Sequence, residues 1–146
     1  MIVFLDTSSL IKLYYREEGT RELELMFSDY SISDIYLAEI SRIEFLSAIW
    51  KKVRTKEMPE SEATTTLGLF DSDKDKYNFI PANNTIVEQA ISLISVYGIV
   101  GLRTLDSIQF ATALALTQQA QVFITADKLL KSFFQAEGLP TETPDQ

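Results

Sequence analysis

At 146 residues, with 46% apolar and 23% charged residues, the chain has the size and make-up of a single globular domain, residues 1–146, around one substantial core. It contains no cysteine and no histidine, which excludes disulfides, thiol catalysis, serine–histidine triads and most zinc sites. The net charge of −8 argues against broad electrostatic attraction to nucleic acid, but it leaves room for an acidic site compensated by a metal ion.

The first nine residues organise the rest. Ile2-Val3-Phe4-Leu5 is a short apolar run with the character of a strand buried on both faces, and it leads directly into Asp6-Thr7-Ser8-Ser9. Asp6 therefore falls at the carboxyl end of a strand, the edge at which open α/β sheets bind ligands. Ser9 to Arg16 reads as a short helix broken near Gly19, and Thr20 as the N-cap of a second helix, Arg21 to Phe27. Ser33 to Leu37 is a strand candidate. The third helix, Ala38 to Arg54, is amphipathic, with an expected apolar arc of Ile40, Ile43, Leu46, Ile49, Trp50 and Val53.

Thr55 to Asn78 is the least core-like segment. Pro59 is expected to start a helix there, and Asp71 to Lys76 to close it as a charged loop. Tyr77 to Pro81 is a weak strand. Thr85 to Tyr97 is helical by period, with Ile86, Ala90, Ile91, Leu93 and Ile94 expected inward and Gly98 as terminator. Thr104 to Gln119 is a helix that is apolar almost all round and hence central. Gln121 to Thr125 is a further strand, followed by a helix that stops at Gly138, and the tail, 138–146, is expected to add an edge strand. Strands alternating with helices imply a parallel sheet covered on both faces, an α/β/α sandwich. No apolar stretch approaches the roughly 18 residues of a membrane span. The N-terminus also lacks a secretory signal, so a cytoplasmic protein is expected.

Four carboxylates sit where surface solvation explains them poorly. Asp6 and Asp127 each follow a strand and so project from the same sheet edge. Asp106 lies in the first turn of the apolar helix, and Glu44 lies at the margin of the third helix's apolar arc. Helix capping accounts for each aspartate taken singly. Glu44 has Ser47 and Ala48 at i+3 and i+4, so no intrahelical ion pair accounts for it. If the four converge, like charges raise one another's pKa unless a cation compensates. A hard divalent ion such as Mg²⁺ or Mn²⁺ suits that donor set and the chemistry of phosphate esters. This points to a metal-dependent phosphodiester or phosphate hydrolase.

The strings Ile2-Val3-Phe4-Leu5-Asp6-Thr7-Ser8-Ser9-Leu10, Ser41-Arg42-Ile43-Glu44-Phe45, Leu102-Arg103-Thr104-Leu105-Asp106-Ser107 and Phe123-Ile124-Thr125-Ala126-Asp127 resemble PIN-domain ribonucleases, most of all the VapC-type toxins of toxin–antitoxin pairs. The resemblance runs in order from Ile2 to about Pro144 and implies a PIN-like α/β/α sandwich. It implies that Asp6, Glu44, Asp106 and Asp127 form the pocket for Mg²⁺ or Mn²⁺, with Ser8 and Thr125 supporting them. It further implies hydrolysis of RNA, a small antitoxin partner and a homodimer. Arg42 and Arg103, with Lys12 and Arg16, are candidates to meet RNA because each adjoins an acidic motif; Lys51, Lys52, Arg54 and Lys56 are weaker ones. The chain departs from the family at Gln109, where relatives often carry histidine, and the Thr55–Asn78 segment has no diagnostic match.

Rival readings fare worse. A haloacid-dehalogenase-like Mg²⁺ phosphatase needs a second aspartate two residues after the first, and that position is Ser8. A dinucleotide-binding turn needs glycines that Asp6-Thr7-Ser8-Ser9 lacks. The run Asp71-Ser72-Asp73-Lys74-Asp75 opens like a calcium loop, but Lys76 stands at its glycine position. The non-enzymatic alternative is a nuclease-like fold that serves mainly as a protein-binding module.

Overall fold

The computed structural model describes residues 1–145. Five parallel strands, β1 (Ile2–Leu5), β2 (Asp34–Ala38), β3 (Tyr77–Ile80), β4 (Val122–Ile124) and β5 (Thr141–Glu142), lie in the order β3-β2-β1-β4-β5. The opening strand is thus the middle one, which is why its apolar run is continuous: both of its faces are covered. Val3 and Leu5 enter one core, with Leu10, Leu23, Phe45, Ile49 and Phe70, while Phe4 enters the other, with Phe110, Phe123, Phe133 and Phe134. This is the expected α/β/α sandwich. Among the described residues no helix is long and apolar enough to cross a membrane.

Helices α1 (Thr7–Ile11), α2 (Thr20–Tyr30), α3 (Ser41–Arg54) and α4 (Glu60–Asp73) supply the first core; α5 (Asn84–Tyr97), α6 (Thr104–Ala115) and α7 (Lys128–Ala136) supply the second. Several boundaries differ from the sequence reading for local reasons. The first helix starts at Thr7 because Asp6 itself caps it, with Oδ1 accepting from the Ser9 amide, and it ends at Ile11. Gly19, at φ 91°, is the N-cap of α2; the Thr20 hydroxyl instead accepts from the Glu17 amide. Gly98 is right-handed and carries the chain into a short 3₁₀ turn, so the left-handed turn comes at Gly101, at φ 112°.

The largest correction concerns α3. Its buried face is Ser41, Phe45 and Ile49, whereas Ile43 and Leu46 of the expected arc are 73% and 45% exposed. Two contacts set the roll. Ser41 is hydrogen-bonded by Gln109, and the Phe45 ring packs against Tyr14 and Phe70 at centroid distances of 5.2 and 4.2 Å. The exposed stripe instead lines a groove with Leu67, Phe70 and Phe79. On α5, Ile86, Ala90 and Leu93 are inward as expected, but Ile91 and Ile94 are exposed.

The segment read as least core-like is structured throughout. Ala63, Thr66 and Phe70 of α4 are buried, and Asp71 to Asp73 end that helix rather than open a loop. Tyr14 closes this side: its hydroxyl donates to Asp73 Oδ2 at 2.7 Å and meets the hydroxyl of Tyr77. Tyr14→Phe is expected to lower the unfolding free energy by about 1–2 kcal/mol, through loss of a half-buried charge-assisted hydrogen bond. Urea denaturation measures this, and an unchanged midpoint would contradict it.

Candidate active site

The parallel sheet brings the ends of β1 and β4 side by side, since Leu5 is in register with Ile124. Asp6 and Thr125 are the next residues on each strand, and the Asp6 amide donates to the Ile124 carbonyl. Asp6 is only 3% exposed. Its Oδ2 accepts from the fully buried Thr125 hydroxyl at 2.6 Å, its Oδ1 accepts from the Ser9 amide at 3.0 Å, and the Ser8 hydroxyl lies 2.8 Å from both oxygens. Burial outweighs these donors and pushes the Asp6 carboxyl up to about 6.

The same hydroxyls hold the neighbouring loop. Ser8 Oγ accepts from the Ala126 amide and Thr125 Oγ1 from the Asp127 amide, both at 3.0 Å. Asp127 Oδ1 caps α7 by accepting from the Leu130 amide at 2.8 Å. Capping and membership of an acidic site are therefore compatible roles for Asp6 and Asp127, because a cap uses one carboxylate oxygen.

Asp106 stands in the first turn of α6 with no capping bond of its own. Burial raises its pKa, the charges of Asp127 and Glu44 raise it further, and Arg103 opposes them. Asp127 and Glu44 therefore lie close enough to Asp106 for their charges to reach it. Glu44, Asp106 and Arg103 line one recess; Ser8 and Asp127 line another, and Thr7 and Glu44 a third. The donor atoms are all hard oxygens. Among the described residues no three acidic side chains form a ready-made cage for one ion.

The basic candidates divide. Arg103 is beside Asp106, as its opposing effect on that pKa shows. Arg42 is elsewhere: its guanidinium lies over the Phe79 ring, 5.6 Å from the centroid, in the groove lined by Ile43 and Leu46. Lys12 and Lys52 are held by Glu17, and Arg16 by Glu24. Lys51, read as a weaker candidate, is exposed and lines both the Asp127 recess and the Glu44 recess, the latter with Arg54.

Three side chains escaped the sequence reading as parts of the site. The Thr7 hydroxyl and the Gln109 amide each donate to Glu44 Oε1 at 2.8 Å, and Ser41 lies behind them. In the sequence Gln109 stood out only as a departure from the resembled family, at a position where relatives often carry histidine.

A carboxyl sheet edge at which Asp6, held by the Thr125 and Ser8 hydroxyls, stands beside the loop of Asp127, with Asp106 and Glu44 at the starts of α6 and α3, defines a class: an open α/β protein with acidic side chains gathered at that edge. The family model for the PIN domain matches residues 3–133, and the chain belongs to that family. It is 26% identical over 145 residues to a protein of Mycobacterium tuberculosis named Ribonuclease VapC47, covering 98% of this chain and 97% of the relative. Among solved structures it resembles a toxin–antitoxin complex from Klebsiella pneumoniae, with TM-score 0.68, 19% identity and coverage of 99% and 98% of the two chains. It also resembles the Mycobacterium tuberculosis VapC20, described as a Sarcin-Ricin loop cleaving toxin, with TM-score 0.68, 14% identity and coverage of 94% and 95%.

Proposed function

We propose that this chain is a divalent-metal-dependent endoribonuclease, the toxin of a toxin–antitoxin pair, acting in the cytoplasm as a single nuclease domain. Membership of the PIN family and the likeness to Ribonuclease VapC47 support the activity. The observation that carries the chemistry is the gathering of acidic side chains at one sheet edge: Thr125 joins Asp6 to the Asp127 amide, Thr7 beside Asp6 donates to Glu44, and Glu44 and Asp106 line one recess.

The residues fit Mg²⁺ or Mn²⁺. Such ions favour carboxylate oxygen and keep several waters, and they are bound by one or two carboxylates plus substrate phosphate rather than by an all-protein cage. Asp6, Glu44, Asp106 and Asp127 would hold the ion, some directly and the others through its waters, and the bound ion would polarise a phosphodiester and lower the pKa of water. Thr125 and Ser8 orient Asp6 and fix the loop that carries Asp127. Arg103, which lines the recess with Asp106, would meet a phosphate and offset repulsion between the acidic edge and RNA. The proposed partner is a small antitoxin; the likeness to the toxin–antitoxin complex from Klebsiella pneumoniae supports an antitoxin.

The test is cleavage of purified RNA by the antitoxin-free protein. Cleavage is expected with Mg²⁺ or Mn²⁺, and its loss with EDTA and in Asp106→Asn, which should retain the wild-type circular dichroism. Cleavage that survives EDTA would overturn the metal-dependent reading. No cleavage with either ion would favour a binding module.

A further inference from the structure

Glu44 is held by a buried polar network that has one consistent arrangement of protons. Its Oε1 is 2.8 Å from both Thr7 Oγ1 and Gln109 Nε2. Gln109 Nε2 is also 2.9 Å from Ser41 Oγ and 3.1 Å from Thr7 Oγ1, and the two hydroxyls are 2.9 Å apart. Ser41 and Gln109 are 0% and 2% exposed.

A primary amide has two hydrogens. One goes to Glu44, whose carboxylate only accepts, and the other to Ser41, the nearer hydroxyl. Thr7 spends its single proton on Glu44, so the Ser41 proton goes to Thr7. Every donor in the chain Gln109–Ser41–Thr7 then points toward Glu44 Oε1. Turning the amide over would set its carbonyl against the carboxylate, which fixes the orientation even though Gln109 Oε1 has no partner of its own.

Two hydrogen bonds occupy the two lone pairs of Oε1. Only Oε2 is left with its full accepting capacity, on a side chain that lines the recess holding Asp106. A bidentate carboxylate is a common ligand for Ca²⁺, whereas Mg²⁺ and Mn²⁺ are satisfied by single oxygens and water. Building on the proposed metal-dependent activity, we infer that Gln109 is a positioning residue that, with Ser41 and Thr7, ties down one oxygen of Glu44 and so makes it a one-oxygen ligand selective for Mg²⁺ and Mn²⁺ over Ca²⁺.

The experiment is calorimetric binding of Mn²⁺ alone and of Ca²⁺ alone to the full chain, with Glu44→Gln setting the background of other carboxylates. In Gln109→Met, which keeps length and removes both donors, Mn²⁺ affinity is expected to fall about 10-fold, within the range for losing a ligand's hydrogen-bond partner. Ca²⁺ affinity is expected to hold or rise. Thr7→Val should shift the Mn²⁺/Ca²⁺ ratio in the same direction, and Thr7→Ser, which keeps the hydroxyl, should restore it. If Gln109→Met fails to fold, the Thr7 pair decides. An equal loss for both ions, or an unchanged ratio, would overturn selection by this network. Wild-type protein that binds no Mn²⁺ above background would instead sink the metal reading, and the inference with it.

Discussion

Asp6→Asn is expected to abolish RNA cleavage and, at the same time, to make the metal-free protein more stable at neutral pH. The carboxyl is buried, and its pKa is raised from 3.8 to about 6. Between those values the folded protein binds the proton more tightly than the unfolded chain does, so stability falls as pH rises through that window and then levels off above it. At pH 7.5 the ionised group costs the metal-free fold on the order of 2–3 kcal/mol. Asparagine removes the ionisation while keeping an oxygen for the Ser9 amide, and a melting temperature several degrees above wild type is expected. Mg²⁺ or Mn²⁺ should raise the wild-type melting temperature at pH 7.5, much less at pH 5, and hardly at all in the variant. Thermal scans at the two pH values, with and without metal, check all of this. A variant less stable than wild type at pH 7.5 would show that Asp6 serves the fold chiefly as a charged cap.

The second large effect is expected at Thr125. Valine matches its shape but removes a hydroxyl that donates to Asp6 and accepts from the Asp127 amide. The amide then lacks a buried partner, at a cost of about 1–3 kcal/mol. Asp6 loses a donor to its ionised form, which raises its pKa further. The rise of cleavage rate with pH should therefore move to higher pH, and the rate at pH 7.5 should fall about 10–100-fold, the usual range for losing a group that orients a metal ligand. Thr125→Ser should keep both bonds and most of the activity. Chemical denaturation and a pH–rate profile measure the two effects. A drop in rate with an unmoved profile would mean that Thr125 acts only through stability.

Asp6 links these expectations. The fold tolerates a buried carboxylate because β1 is central and its end is walled by Thr125 and the start of α1, and this burial makes the group hold its proton when no cation is near. Stability of the free protein and readiness for an ion thus oppose each other at one residue, as is common where function strains a site.

The amino-acid sequence by itself determined the strands, the helix alternation and the edge on which the aspartates stand. Those features are local: an apolar run of strand length, a carboxylate following it and a periodic helix each declare themselves within about 15 residues. Capping was legible for the same reason, since Asp6 and Asp127 each bond an amide three residues on. Tertiary contact decided the rest. The apolar stripe of α3 pointed to Ile43 and Leu46, yet the helix is rolled by Ser41 and Phe45, whose partners lie on α6, on the turn after α1 and on α4. Composition marked α4 as peripheral, and most of it is exposed, but Ala63, Thr66 and Phe70 dock it against the core. The support of Glu44 was beyond sequence reading altogether. Gln109 reaches Thr7 across 102 residues, and nothing local in either position announces a bond that exists only because α1, α3 and α6 meet above the same strand ends.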